Sequence, residues 1–342
     1  MTKIAINGFG RIGRTFFRQA YKDKDVDIVA INDLGELGNL AYLLRHDSVY
    51  GRFGGNVEIN EANGERWLIV DGKKVRVFAE KEPEKLPWGK LGIDVVVEST
   101  GFFASDEGAQ KHILAGAKRV VISAPAKGNV EHVLIGTNDT RLSSADLPAI
   151  TANASCTTNA TVPVLAIMDE SIGVAKAIMQ TVHAYTATQS LVDGPGGKGD
   201  YRRGRAAAQN IVPAHTGAAD AVIKSLPSFA DRVDGIAVRV PVVQGSLAMV
   251  TFVTKRPTSV DEVNEIFRKA VETPRWKGVV GVTEEQLVSS DVRETIEAAI
   301  VDLTFTRVVD GDLVTVFSWY DNEWGYSHTL LEHVKRVSRL IQ

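Results

Sequence analysis

A single cysteine, Cys156, stands in 342 residues. No disulfide can close within the chain, and the composition fits a reducing compartment. Nor is there an uncharged apolar run near the roughly 20 residues needed to span a bilayer. The opening segment MTKIAINGFG lacks a charged-then-apolar leader with a cleavage site, so a cytoplasmic location is expected. Charge of one sign is not in excess: the net charge is −3 and the pI about 6.2. That excludes the strong basic field that nucleic acid or an anionic membrane would select, so neither is expected as a dedicated partner. No internal repeat, no low-complexity tail and no metal-ligand cluster is read. What remains is ordinary for a globular chain, with 44% hydrophobic and 24% charged residues and length enough for about two domains.

The first half alternates strand and helix. An apolar strand from Lys3 to Asn7 turns through glycines into an amphipathic helix near Gly10 to Tyr21. VDIVAIND, IDVVVEST and KRVVISA read as further buried strands, with SDEGAQKHILAGA as a helix between the last two. Continuous apolar strands alternating with helices signal a parallel sheet covered on both faces. The span from Gly54 to Phe78 breaks the rhythm and reads as a hairpin insertion. After Cys156 the texture changes. AKAIMQTVHAYTAT, DGIAVRVPV, SLAMVTFVTKRP and DLVTVFSWYDNEWG read as long strands of a mostly antiparallel sheet. QSLVDGPGGKGDYRRGR is a loop too long to be a simple connector. Ser259 and Glu262 suggest a capping box for the helix that follows. The last helix shows one apolar face through Leu330, Leu331, Val334, Val337 and Leu340. The expected fold is α/β: a Rossmann-type doubly wound parallel sheet at residues 1–154, completed by the C-terminal helix 323–342, and a second α+β catalytic domain at 155–322.

Gly8-Phe9-Gly10-Arg11-Ile12-Gly13 is a G-x-G-x-x-G that follows a strand and opens a helix. Asp33 lies 20 residues beyond Gly13, at the tip of the next strand. That spacing suits glycines that admit a pyrophosphate and a carboxylate that grips a ribose diol. The carboxylate repels a 2′-phosphate, so NAD is favoured over NADP. A lone cysteine reads first as a small buried hydrophobe. Cys156, however, sits in NASCTTNA, among hydroxyl side chains and at the start of a helix, where dipole and free amides favour thiolate. A thiolate nucleophile needs an acid–base partner, and His183, 27 residues on, is the best candidate. His46, His112, His132 and His328 lie in helix or strand stretches without comparable polar company, and His333 is on the final helix. Arg202, Arg203 and Arg205 in the long loop, Thr186, Arg239, and Thr216-Gly217 at a helix start form a set of anion binders that points to phosphate groups on a substrate.

With these residues in place, the chain resembles phosphorylating, NAD-dependent glyceraldehyde-3-phosphate dehydrogenase over nearly its whole length. The matching segments are KIAINGFGRIGR, NASCTTN, TVHAYTATQ, DGPGGK, RRGRAAAQNI, TGAA, RVP and SWYDNEWGYS. The resemblance implies that Cys156 attacks the aldehyde while His183 activates the thiol and accepts the proton. It implies that Arg11, Ile12, Asp33, Ser123 and Asn322 contact NAD, with Asn322 near the nicotinamide carboxamide. Ser155, Thr157, Thr216 and Gly217 match the site of incoming inorganic phosphate. Thr186, Arg203 and Arg239 match residues that hold the phosphates of the triose phosphate substrate and the attacking ion. A homotetramer is implied, with the loop near Gly194 to Gly204 at a subunit interface.

The chain departs from the common pattern in four places. Ala160 stands where many relatives carry a second cysteine. Lys81 stands where many bacterial relatives have arginine at a cofactor contact. His215 replaces a small hydroxyl residue just before Thr216, which suggests a titratable charge at the rim of the phosphate site. VVQGSLAMV differs from the usual run after RVP and has no explanation at the level of sequence. Two other readings stand beside the main one: erythrose-4-phosphate dehydrogenase, which shares fold and nucleophile, and a secondary RNA-binding role through the cofactor groove.

Overall fold

The computed structural model describes residues 1–197 and 199–341; Lys198, in the DGPGGK segment, lies outside them. The chain forms two compact units. One holds residues 1–133, 139–154 and 327–342; the other holds 134–138 and 155–326.

In the first unit, alternating elements build one sheet. Strands β1 (Thr2–Asn7) and β2 (Val26–Asn32) are joined by helix α1 (Arg11–Ala20). Helix α2 (Leu37–Arg45) follows, capped by the Glu36 carboxylate, which accepts from the amides of Gly38 and Asn39. A two-residue hairpin, β3 (His46–Asp47) with β4 (Gly51–Arg52), comes next. The segment read as a hairpin insertion is three strands, β5 (Val57–Ala62), β6 (Glu65–Val70) and β7 (Lys73–Phe78). They do not stand apart, because β7 pairs in parallel with β2 and the meander extends the sheet edge. Helix α3 (Trp88–Leu91), β8 (Val95–Glu98), α4 (Asp106–Leu114), β9 (Arg119–Ile122), β10 (Glu131–His132) and β11 (Ile150–Ala152) complete the order. The nine strands run β10-β11-β9-β8-β1-β2-β7-β6-β5. The chain winds from β1 to one side, then returns to β8 on the other, and this switch opens a crevice beyond the C-terminal ends of β1, β2 and β8.

Under that crevice lies a buried polar chain that the sequence reading missed. Trp88 Nε1 donates to His112 Nδ1 at 3.0 Å. The other ring nitrogen of His112 therefore carries the hydrogen and faces Glu98 Oε2 at 3.1 Å. Asn7 Nδ2 donates to the same oxygen at 2.6 Å, and Asn32 Nδ2 donates to Asn7 Oδ1 at 2.7 Å. Glu98 Oε1 accepts from the Thr100 amide at 2.8 Å. Contrary to the expectation from sequence, His112 has dense polar company; both it and Glu98 are fully buried. A buried carboxylate persists only when its lone pairs are met.

In the second unit, helix α5 (Cys156–Ser171) is buried continuously from Thr157 to Met168. Around it stand β12 (Val174–Ala184), β13 (Val212–His215), α6 (Ala218–Ser225), β14 (Val233–Val240), β15 (Ser246–Thr254), α7 (Val260–Val271), β16 (Val280–Thr283), β17 (Ala299–Val309) and β18 (Leu313–Tyr320). The sheet order is β13-β14-β12-β15-β18-β17-β16. It is mostly antiparallel, but β12 pairs in parallel with β14, which sets His183 opposite Arg239. Ser259 caps α7 by accepting from the Glu262 amide. The Glu262 carboxylate turns to Arg256 and Thr258, so only half of the capping box forms. Helix α8 (Trp324–Ser338) begins in this unit and continues into the first. Leu330, Leu331, Val334 and Val337 are buried, whereas Leu340 is half-buried beyond the helix end. No described helix is long and apolar enough to cross a membrane.

Replacing His112 with Ala leaves the Trp88 indole and a buried Glu98 oxygen short of a partner and opens a cavity. We expect a loss of about 2–4 kcal/mol in stability, read as a lower urea midpoint for the first unfolding transition. A midpoint equal to wild type would show that the chain of bonds contributes nothing net.

Candidate active site

The crevice of the first unit is a cleft of about 560 Å³ lined in part by Gly8, Gly10, Asp33, Lys81, Thr100 and Phe103. Two of the three motif glycines are forced by close approach. Gly8 has φ +93°, and a Cβ there would lie 2.7 Å from the Thr100 nitrogen; a Cβ on Gly13 would lie 2.1 Å from the Gly8 carbonyl oxygen. Gly10, by contrast, opens onto empty space at the start of α1, with no side chain capping the helix. A pyrophosphate fits there, against amides and the positive helix end. The Asp33 carboxylate is aimed by two amides, from Phe9 at 2.7 Å and Gly35 at 2.8 Å. It keeps outer lone pairs for a ribose diol. The residues present therefore fit a dinucleotide. Arg11 and Ile12 sit on the first turn of α1 and do not line the cleft; Arg11 is ion-paired with Asp47. Ser123 also lies outside the lining, its hydroxyl bonded to the Glu98 carbonyl at 3.0 Å.

In the second unit Cys156 is the first residue of α5, and Ser155 caps the helix by accepting from the Thr158 amide at 3.0 Å. Cys156 Sγ lies 3.4 Å from His183 Nε2. Arg239 reaches the same ring from β14, with Nη1 2.6 Å from His183 Nδ1. The Tyr320 hydroxyl links Thr157 at 3.1 Å and Thr181 at 2.7 Å, and its ring meets the His183 ring edge-on at 5.9 Å. Burial dominates the electrostatics. It pushes the thiol above its usual range, against the opposing pull of Arg239 and the Thr157 amide. Burial, and then the Arg239 charge, lower His183 to about 3. Burial and the helix end, whose pull toward thiolate was expected from sequence, thus act on the thiol in opposite directions.

A second polar cluster involves Thr186, Thr188 and Arg203. The Thr186 and Thr188 hydroxyls lie 2.9 Å apart, and Arg203 Nη1 donates to Thr188 at 3.0 Å. Arg203 also pairs with Asp200 and reaches the His215 carbonyl at 3.5 Å. Gly217 is the N-cap of α6, with Thr216 just before it. The His215 side chain is exposed; the link from this residue to the cluster runs through its carbonyl, not its ring. Arg202 is exposed and Arg205 pairs with Asp193.

Asn322 is buried at 5% exposure, and its Oδ1 accepts from the Gly245 amide at 3.2 Å and the Ser246 hydroxyl at 3.1 Å. That fixes which end of the amide remains to donate. Ser246 Oγ in turn accepts from the Ala184 amide, next to His183, at 3.1 Å. Within the divergent segment VVQGSLAMV, Gly245 and Ser246 thus hold Asn322 and the end of β12. Gly245 has φ +84°, and a Cβ would lie 2.0 Å from the Ser289 carbonyl oxygen. Tyr320 and Ser246 were not singled out from sequence. Tyr320 falls inside the quoted SWYDNEWG, but its partners are 163 and 139 residues away.

Residues 155–322 match the family described as glyceraldehyde 3-phosphate dehydrogenase, C-terminal domain, and residues 2–106 match its NAD binding domain. The chain is 43% identical to glyceraldehyde-3-phosphate dehydrogenase of Clostridium pasteurianum, over 99% of each chain. It is 44% identical to the enzyme of that name from Streptomyces coelicolor, over 96% of each. It is 43% identical to glyceraldehyde-3-phosphate dehydrogenase A of Escherichia coli K12, over 98% of this chain and 99% of the relative. Likeness of this depth from end to end leaves one conclusion: the chain belongs to the glyceraldehyde-3-phosphate dehydrogenase family, and its N-terminal domain binds NAD.

Proposed function

We propose that this enzyme oxidises D-glyceraldehyde 3-phosphate to 1,3-bisphosphoglycerate with NAD and inorganic phosphate. The carrying observation is the single thiol 3.4 Å from an imidazole, beside a half-buried guanidinium with no carboxylate in ion-pair reach among the described residues. Cys156 adds to the aldehyde carbon and makes a tetrahedral hemithioacetal. His183 takes the hydroxyl proton as the C–H bond breaks. Bound NAD supplies the hydride acceptor. The thioester left on Cys156 stays reactive, so phosphate displaces the sulfur and leaves as the acyl phosphate. Arg239, Arg203 and Thr186 hold phosphate groups, and amides near Ser155, Thr157, Thr216 and Gly217 supply donors for the incoming ion and the oxyanion. The Ser155 and Thr157 hydroxyls are already engaged, by Thr158 and Tyr320, so their backbone amides are the better candidates. On the cofactor side Asp33 holds the adenosine ribose, Lys81 stands at the cleft edge, and Asn322 offers its amide to the nicotinamide carboxamide. Arg11, Ile12 and Ser123 act there through their backbone or by shaping the turn.

The reading extends to a cytoplasmic homotetramer. Leu191, Val192 and Tyr201 expose 76%, 71% and 82% of their surface on the long loop. Apolar groups so placed suit a subunit interface. Sedimentation should report four chains.

Side-by-side turnover of glyceraldehyde 3-phosphate and erythrose 4-phosphate, each with and without inorganic phosphate, tests the substrate. The triose should be preferred and should depend on phosphate; a preference for the tetrose would replace this reading with erythrose-4-phosphate dehydrogenase. Cys156→Ser should abolish turnover, because a hydroxyl is a far weaker nucleophile at neutral pH, while NAD titration stays near wild type. Asp33→Ala should weaken NAD and relax discrimination against NADP, seen as converging KM values. Equal use of both cofactors by the wild type would remove Asp33 from that role.

A further inference from the structure

The polar chain beneath the cofactor cleft has a direction, and backbone groups fix it. The Glu80 N–H donates to Asn32 Oδ1, and the Glu80 carbonyl accepts from Asn32 Nδ2, both at 2.9 Å. The Asn32 amide therefore has one orientation, and its Nδ2 donates to Asn7 Oδ1 at 2.7 Å. Asn7 is oriented in turn, and its Nδ2 donates to Glu98 Oε2 at 2.6 Å. From the other side the Thr100 amide, which can only donate, meets Glu98 Oε1 at 2.8 Å. The Thr100 hydroxyl bonds the same oxygen and accepts from the Phe102 amide at 3.0 Å.

These two arms reach opposite sides of the cleft. In the sheet, β8 and β2 flank β1. One arm ends at Thr100 and Phe102, just beyond β8; the other ends at Asn32, the last residue of β2, and Glu80, just beyond β7. All four residues line the cleft, whereas Glu98 is buried and does not. The arms meet only at the Glu98 side chain, and each brings a donor to it. Two acceptor oxygens serve both. A primary amide of the same shape has one oxygen and one NH2, so it can accept from either arm but never from both. His112 also donates to Oε2 but leads away from the cleft, to Trp88.

We propose that Glu98 is a positioning residue for the cofactor: its two oxygens hold both sides of the NAD cleft in binding geometry before NAD arrives. The benefit is entropic. Groups already held in place lose little freedom when the ligand binds. This role belongs to the NAD-binding domain alone and is independent of which aldehyde the enzyme oxidises.

The test is calorimetric titration of the full chain with NAD and with ADP-ribose, beside a urea melt of each variant. Glu98→Gln should bind NAD roughly tenfold more weakly, because the cofactor must then order a side of the cleft that the wild type holds in advance. ADP-ribose should weaken by the same factor, since it keeps every part of NAD except the nicotinamide. His112→Ala removes a bond to the same carboxylate but leaves both arms attached. Its urea midpoint should fall while its NAD affinity stays within about threefold of wild type. Wild-type affinity in Glu98→Gln overturns the proposal. So does affinity that falls in step with stability in both variants, the mark of a merely structural residue. Hydrogen exchange on the NAD-free wild type needs neither variant to fold. The amides of Thr100, Phe102 and Glu80 should be protected there, and rapid exchange at these positions would also overturn the proposal. In Glu98→Gln one arm should lose that protection while the other keeps it.

Discussion

Desolvation of the Cys156–His183 pair is the constraint on which the rest of the catalytic unit depends. A thiol and an imidazole 3.4 Å apart would exchange a proton readily in water. Here α5 is buried from Thr157 to Met168 and His183 is buried, while Cys156 itself is half-buried, and the low polarity around them disfavours both charged partners. Three features respond to that constraint. The parallel step between β12 and β14 supplies a cation, Arg239, in register with the base. The Tyr320 hydroxyl ties α5 to β12 through Thr157 and Thr181. Ser246 joins the strand end after His183 to Asn322. Each holds a polar group whose misplacement by an ångström would leave it buried and unpaired, at a cost of about 1–3 kcal/mol.

The cofactor unit solves a related problem differently. Its cleft floor rests on a buried carboxylate, Glu98, satisfied from several directions by His112, Asn7 and Thr100. Asn7 and Thr100 also line the cleft. The groups that meet a ligand are therefore second ends of bonds anchored below it. This is preorganisation in a literal sense: side chains and amides at the floor cannot swing away without breaking a buried hydrogen bond.

What was legible in the sequence follows from range. The Gly8 to Gly13 turn and Asp33 were readable because their meaning is local: a strand end, a tight turn, a helix start. Cys156 could be singled out as the proposed nucleophile because hydroxyls and a helix start crowd it within a few positions. The register that pairs His183 with Arg239 spans 56 residues, and the Asn7–Glu98 bond spans 91. No local pattern encodes either. His112 looked like an ordinary helix residue because its partners come from α3, β1 and β8. The opposing effect of burial on the thiol was missed for the same reason: the helix end is local and visible, whereas burial is a property of the whole fold.

The absence of a second thiol has a chemical consequence of its own. Position 160, one helical turn beyond the nucleophile, is a fully buried alanine, and no cysteine exists elsewhere. If peroxide oxidises Cys156 to a sulfenic acid, no thiol within the chain can condense with it to form a disulfide. Recovery then depends on a small thiol entering from solution, and further oxidation to the sulfinic acid is the competing fate. Peroxide attacks thiolate, not thiol. Whatever raises the thiolate fraction of Cys156 therefore raises its exposure to that damage together with its readiness to react.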